Sequence, residues 1–117
     1  MKIVSKILLA LITILISGCI NMASETLDCT PKFPDKNVTY DNYVKGVLAG
    51  HCTSCHQGGK SPGTGNFTTY AGVLAHADFF LSRVISPNAD MPQGMPQLPK
   101  STRDSLNIWI YNCTPEK

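Results

Sequence analysis

The stretch Cys52-Thr53-Ser54-Cys55-His56 decides how the rest of this 117-residue chain is read. Two thiols three residues apart can each add to one vinyl group of the same porphyrin. The His beside the second Cys is then held under the iron as an axial ligand. Cys-x-x-Cys-His is the pattern of c-type haem attachment. With five Cys and three His in 117 residues, it would arise by chance in roughly five chains in a thousand. A redox Cys-x-x-Cys of the thioredoxin kind needs a βαβ setting, and no segment here alternates cleanly between apolar and polar residues. A structural zinc site needs more ligands than this segment offers, and there is no second Cys-x-x-Cys or paired His. The cofactor expected is therefore one covalent haem c with its iron, bound through Cys52 and Cys55 and ligated by His56.

Upstream, the chain opens with the short basic stretch Met1 to Lys6, followed by an apolar run from Ile7 to Ile16. Ser17-Gly18-Cys19 closes that run with small residues. These are the parts of a secretory signal, and the run is too short to span a bilayer, which takes about 20 residues. Leu15-Ile16-Ser17-Gly18-Cys19 resembles a bacterial lipobox, which implies cleavage after Gly18 and lipidation of Cys19. Residues 1–18 are then a lipoprotein signal peptide, and the mature chain is exported and lipid-anchored, facing the periplasm or the cell surface. Ile20 rather than Asp after the lipidated Cys favours the outer membrane. Thiol attachment of haem needs an exported compartment, so the two signals agree.

Of the 10 basic residues, Lys2 and Lys6 belong to the signal, which leaves 8 against 8 acidic ones. The mature domain is near neutral and lacks the basic stripe a nucleic-acid partner would require. Cys29 and Cys113 are the two cysteines without a role so far, one near each end of the mature domain. In an oxidising compartment they can pair. The bridge would close a loop of about 85 residues, with a chain-entropy stabilisation of roughly 4 to 5 kcal/mol. Two free thiols are the alternative.

Residues 19–39 read as a tether and lead-in, punctuated by Pro31, Pro34 and Asn37. Residues 40–117 form the domain. A first helix is expected over 41–49, capped by Asp41, with Tyr43, Val44, Val47 and Leu48 on one face. A Gly-rich loop follows the haem motif over 57–66. A second helix is expected over 70–85, capped by Thr68 or Thr69, with Tyr70, Val73, Leu74, Ala77, Phe80, Leu81 and Val84 at helical spacing. Pro87, Pro92, Pro96 and Pro99 exclude a helix or a central strand over 86–100. A last helix, capped by Ser101, runs to Tyr111. The fold expected is all-α, with about three main helices and long loops wrapped around one haem.

The distal ligand should come from Met91-Pro92-Gln93-Gly94-Met95-Pro96. A Met thioether opposite His favours ferrous iron and raises the potential relative to a second His. Pro beside Met stiffens the loop that presents this weak ligand. His76 is the bis-His alternative; His51 reads as a partly exposed neighbour of the motif.

With these stretches in place, residues 40–110 resemble a bacterial monohaem cytochrome c domain of the short type found in exported lipoproteins. The resemblance is carried by Tyr40 to Gly50 leading into the haem motif, by Thr69-Tyr70-Ala71-Gly72-Val73, by Met91-Pro92-Gln93-Gly94 and by Ile108-Trp109-Ile110. It implies a small cytochrome c fold in which the first and last helices cross beside the haem, with Val44, Leu48 and Trp109 at the crossing. It implies that a loop carbonyl at Pro62 receives the proximal His N–H. Met91 lies 18 residues before Trp109 and Met95 lies 14; the resemblance implies the longer spacing and so Met91, with Met95 the alternative. The function implied is a membrane-tethered electron carrier of a respiratory or other exported redox chain. It is not an enzyme, and it meets redox partner proteins by transient contact. The alternative is a catalytic or ligand-sensing haem c domain with a labile distal Met.

Overall fold

The computed structural model describes residues 28–58 and 65–117. Their regular structure is helical, and no strand occurs among the described residues. The first helical run begins with a π-wound turn, Tyr40–Val44, and continues as the α-helix Lys45–His51. Thr39 caps it rather than the expected Asp41. The Thr39 hydroxyl accepts from Asn42 N–H at 3.2 Å, and the Asn42 side chain accepts from Thr39 N–H at 2.8 Å. This reciprocal box satisfies two N–H groups that the helix start would leave unpaired.

The middle run is broken where the sequence predicts one continuous helix. It consists of Tyr70–Leu74, Ala77–Phe80 and the π-wound turn Leu81–Ile85. The break has a local cause. His76 Nδ1 lies 3.2 Å from the Gly72 carbonyl oxygen, to which it donates. His76 N–H turns instead to Val73 O at 3.0 Å. A side chain thus takes the carbonyl that the helical backbone would use. The last helix is Lys100–Tyr111. Pro99 precedes it and makes no side-chain cap, so the cap expected from Ser101 is absent. Ser101 lies inside the first turn, where its carbonyl accepts from Ser105 Oγ.

The core joins all three runs. Val44, Leu48, Val73, Leu106 and Trp109 are shut off from solvent, and Phe80 and Leu98 nearly so. Val44 and Leu48, four apart on the first helix, share one apolar cluster with Leu106 and Trp109 of the last. The Trp109 indole donates to Pro115 O at 3.0 Å, so its N–H is satisfied inside the core.

The C-terminal residues form a strap. Pro115 O also accepts from Tyr40 N–H, Glu116 O from Asp41 N–H, and Thr114 O from the Tyr70 hydroxyl. The lead-in is fastened to this end. Cys29 and Cys113 are joined by a disulfide with their Cα atoms 5.7 Å apart. Asn112, buried, accepts from Phe33 N–H and donates to Phe33 O and Lys36 O. The lead-in over 28–39 is therefore fastened to the domain; the rest of the expected tether and lead-in, residues 19–27, lies outside the described residues together with 1–18 and the expected lipid site Cys19. Pro62 also lies outside them. Among the described residues no helix is long and apolar enough to cross a membrane.

Candidate haem site

The motif is a turn that carries on from the first helix. Cys52 N–H and Thr53 N–H both reach Leu48 O, at 2.8 and 3.0 Å. Cys55 N–H and His56 N–H both reach Cys52 O, at 3.1 and 2.8 Å. This coil brings residues three and four apart to one side, so Cys52, Cys55 and His56 share a face. All three line one cavity of about 530 Å³, within the range of roughly 300 to 1,000 Å³ usual for small-molecule and cofactor sites.

His56 is held from behind by Phe67. The rings stack with centroids 4.5 Å apart and planes 10° apart, and Phe67 N–H donates to His56 O at 2.8 Å. Phe67 then packs on Phe80 at 5.7 Å and meets His76 edge-on at 5.7 Å. The segment that carries Phe67 is fixed by a close approach at Gly72: a Cβ there would overlap the Asn66 carbonyl oxygen. Thr69 caps the same short helix, accepting from Gly72 N–H. Nothing in the sequence marks Phe67 as part of the site, because the partnership forms across a loop and follows no helical period.

Met91 and Met95 line the same cavity. Met91 is half-buried and packs on the core, and its N–H donates to Arg83 O at 2.9 Å. Arg83 also grips Asp90 with two bonds, 3.0 and 2.6 Å. The Arg83 hydrogen bond, foremost, holds the exposed Asp90 carboxyl below the usual carboxylate range. The far end of the loop is fastened by Gln97 to Ser86 O and by Arg103 to Leu98 O and Ile85 O. No sequence pattern announces these pins; each is a long polar side chain reaching a backbone carbonyl or an exposed carboxylate.

The residues present fit a haem c on two counts. Cys29 and Cys113 are consumed by each other, which leaves Cys52 and Cys55 as the free thiols among the described residues. The rest of the lining is rich in Phe67, Phe79, Phe80, Val84 and Leu98, yet Phe79 is 61 % and Met95 50 % exposed. Apolar side chains left open around a cavity mark a ligand surface. A dithiol redox site fits less well. Burial pushes the Cys52 thiol up to about 11, whereas reactive Cys-x-x-Cys thiols are lowered. Groups of three or more His, Cys, Asp or Glu that could hold a bare metal ion are absent among the described residues; a haem iron asks only one axial residue on each face. The chain matches no known family, no curated protein and no solved structure.

Proposed function

We propose that this chain is a monohaem c-type cytochrome, an exported and lipid-anchored electron carrier with His56 and Met91 as axial ligands. One observation carries the reading: Cys52, Cys55, His56 and Met91, from two separate stretches, line a single apolar-walled cavity of about 530 Å³. A haem bound there supplies a one-electron ferric/ferrous couple. Cys52 and Cys55 tether it by thioethers. Phe67 and its bond to His56 O fix the imidazole plane. The pinned loop presents a thioether from a different stretch of wall, which favours the ferrous state over bis-His ligation.

His76 is the weaker candidate for the second axial position. Its Nδ1 is engaged with Gly72 O and its ring packs on Phe67, the ring that backs His56. It belongs to the aromatic cluster on the His56 side. With His56 and Met91 both engaged, a haem held here would exchange electrons with partner proteins rather than carry out bond chemistry; Phe79 and Met95 are the exposed apolar side chains of the cavity lining. The near-neutral mature charge suits weak contacts with redox partner proteins without strong electrostatic steering. Cys19, lipidated at the membrane, would keep the domain at the periplasmic or outer surface.

The test is an absorption spectrum of the purified, haem-loaded protein in both redox states. A far-red sulfur-to-iron charge-transfer band in the ferric form, with no carbon monoxide binding at neutral pH, is the expected result. Absence of the band together with carbon monoxide binding would overturn the electron-carrier reading in favour of an open-site haem.

A further inference from the structure

Two methionines reach the same cavity from one loop, and the reading above uses only Met91. Resting on that reading, we infer that Met95 is a second thioether ligand that takes the axial position when Met91 leaves it. The exchange breaks one dative sulfur–iron bond and forms another, each from a sulfur lone pair, with no net electron or proton transfer.

The loop is built for such an exchange. Its entry is held by the Arg83–Asp90 pair and by Met91 N–H on Arg83 O. Its exit is held by Gln97 on Ser86 O and by buried Leu98, whose carbonyl Arg103 grips. Between these ends the backbone doubles back once, with Met95 N–H donating to Pro92 O at 3.3 Å. Gly94 makes this possible with φ of +72°, in open space where a Cβ would meet nothing within 4 Å. The second thioether is thereby returned to the cavity that the first one lines.

The two side chains differ in how firmly they are held. Met91 packs on the core cluster, whereas Met95 is 50 % exposed. A half-exposed Met has three rotatable bonds and few contacts to give up in swinging inward. The competing nitrogen donors on the cavity wall are less well placed. His76 is tied to Gly72 O beside Phe67. His51 is exposed and directly precedes Cys52, on the stretch that carries His56.

The test uses the haem-loaded chain with Met91→Leu, which keeps the packing volume, with Met95→Leu and with the double variant. Two signals are read: the ferric charge-transfer band and, in the ferrous state, the strongly upfield methyl of a ligated Met in methyl-labelled protein. Expected results are that Met91→Leu retains the band and moves a different methyl upfield, that Met95→Leu keeps the wild-type signals, and that the double variant loses both signals and binds carbon monoxide. Loss of the band in Met91→Leu with carbon monoxide binding, or a bis-His spectrum in that variant, overturns the inference while leaving the carrier reading intact. Loss of the band in Met95→Leu alone also overturns it, by making Met95 the principal ligand. A wild-type protein without the band fails both readings. Imidazole titration of the ferric protein reads the same competition: while Met91 is present it dominates, so wild type and Met95→Leu should agree within about two-fold, whereas the double variant should bind imidazole several-fold more tightly than Met91→Leu, which still has the Met95 sulfur to compete. Equal affinity of Met91→Leu and the double variant overturns the inference, and so does several-fold tighter binding by Met95→Leu than by wild type.

Discussion

Gly72→Ala and Gly46→Ala should move stability in opposite directions, although both put Ala for Gly in a helix. Gly46 sits in Lys45–His51 with nothing within 4 Å of the position a Cβ would take. There the substitution gains helix propensity alone, about 0.5 to 1 kcal/mol. Gly72 sits in Tyr70–Leu74, where the new methyl would overlap Asn66 O and lie 3.0 Å from both the Asn66 carbonyl carbon and Thr69 Oγ1. The propensity gain is the same, but overpacking costs about 1 to 3 kcal/mol. Because the obstacle is backbone rather than the tip of a flexible side chain, the upper part of that range applies. The net is a loss of about 1 to 2 kcal/mol. At about 4 to 8 °C per kcal/mol for a domain near 100 residues, Tm should fall by about 5 to 15 °C for Gly72→Ala and rise by a few degrees for Gly46→Ala. Thermal unfolding of the haem-loaded protein followed by far-ultraviolet circular dichroism gives both values. The displaced segment leads into Phe67, which stacks on His56, so under the proposed haem ligation Gly72→Ala should also disturb the ferric spectrum. An unchanged or raised Tm for Gly72→Ala would refute the close-approach argument.

Three further outcomes follow from the same geometry. Replacing Cys29 and Cys113 together by Ser releases a closure of 84 residues, a chain-entropy loss of about 4 to 5 kcal/mol; a Tm lowered by less than a few degrees would mean that the Asn112 clamp holds the ends without the bridge. Trp109→Ala empties a fully buried site and removes one of the two hydrogen bonds to Pro115 O, so denaturant unfolding should register a loss of about 3 to 5 kcal/mol. In haem-free protein, iodoacetamide should modify exposed Cys55 before the part-buried Cys52, whose thiol burial pushes up to about 11. Because that shift favours the neutral thiol in the folded state, its contribution is present at neutral pH and fades as pH climbs from the ordinary 9.0 towards about 11. Peptide mapping against time and pH measures both, and earlier labelling of Cys52 would contradict the assigned burial.

The parts of the fold that follow a period are legible in the sequence, and those made by single polar contacts are not. Val44 and Leu48, and Leu106 and Trp109, stand at helical spacing and do form the core between the first and last helices. The break at Ala75 and His76 escapes the same reasoning for a physical reason. Val73, Ala77, Phe80 and Val84 keep helical spacing across it, and all four are buried, so apolar periodicity is identical on either side. What breaks the helix is one side-chain bond, His76 to Gly72 O. The first cap lies two residues before Asp41 because the reciprocal Thr39–Asn42 box, and not an acidic side chain, closes the helix start. At the site, motif spacing is enough to select Cys52, Cys55 and His56. Phe67, Arg83 and Arg103 act across loops or between separate turns, where no spacing rule connects partner to partner.

The most direct test of the central claim is whether haem stays with the chain when the protein is unfolded. The protein is produced in an exported compartment with haem-attachment machinery, extracted with acidified organic solvent, and weighed by intact mass spectrometry. One haem per chain, retained after extraction and lost in the Cys52→Ala/Cys55→Ala variant, is the predicted result. A chain with the mass of bare polypeptide, or haem that washes out on unfolding, would contradict it.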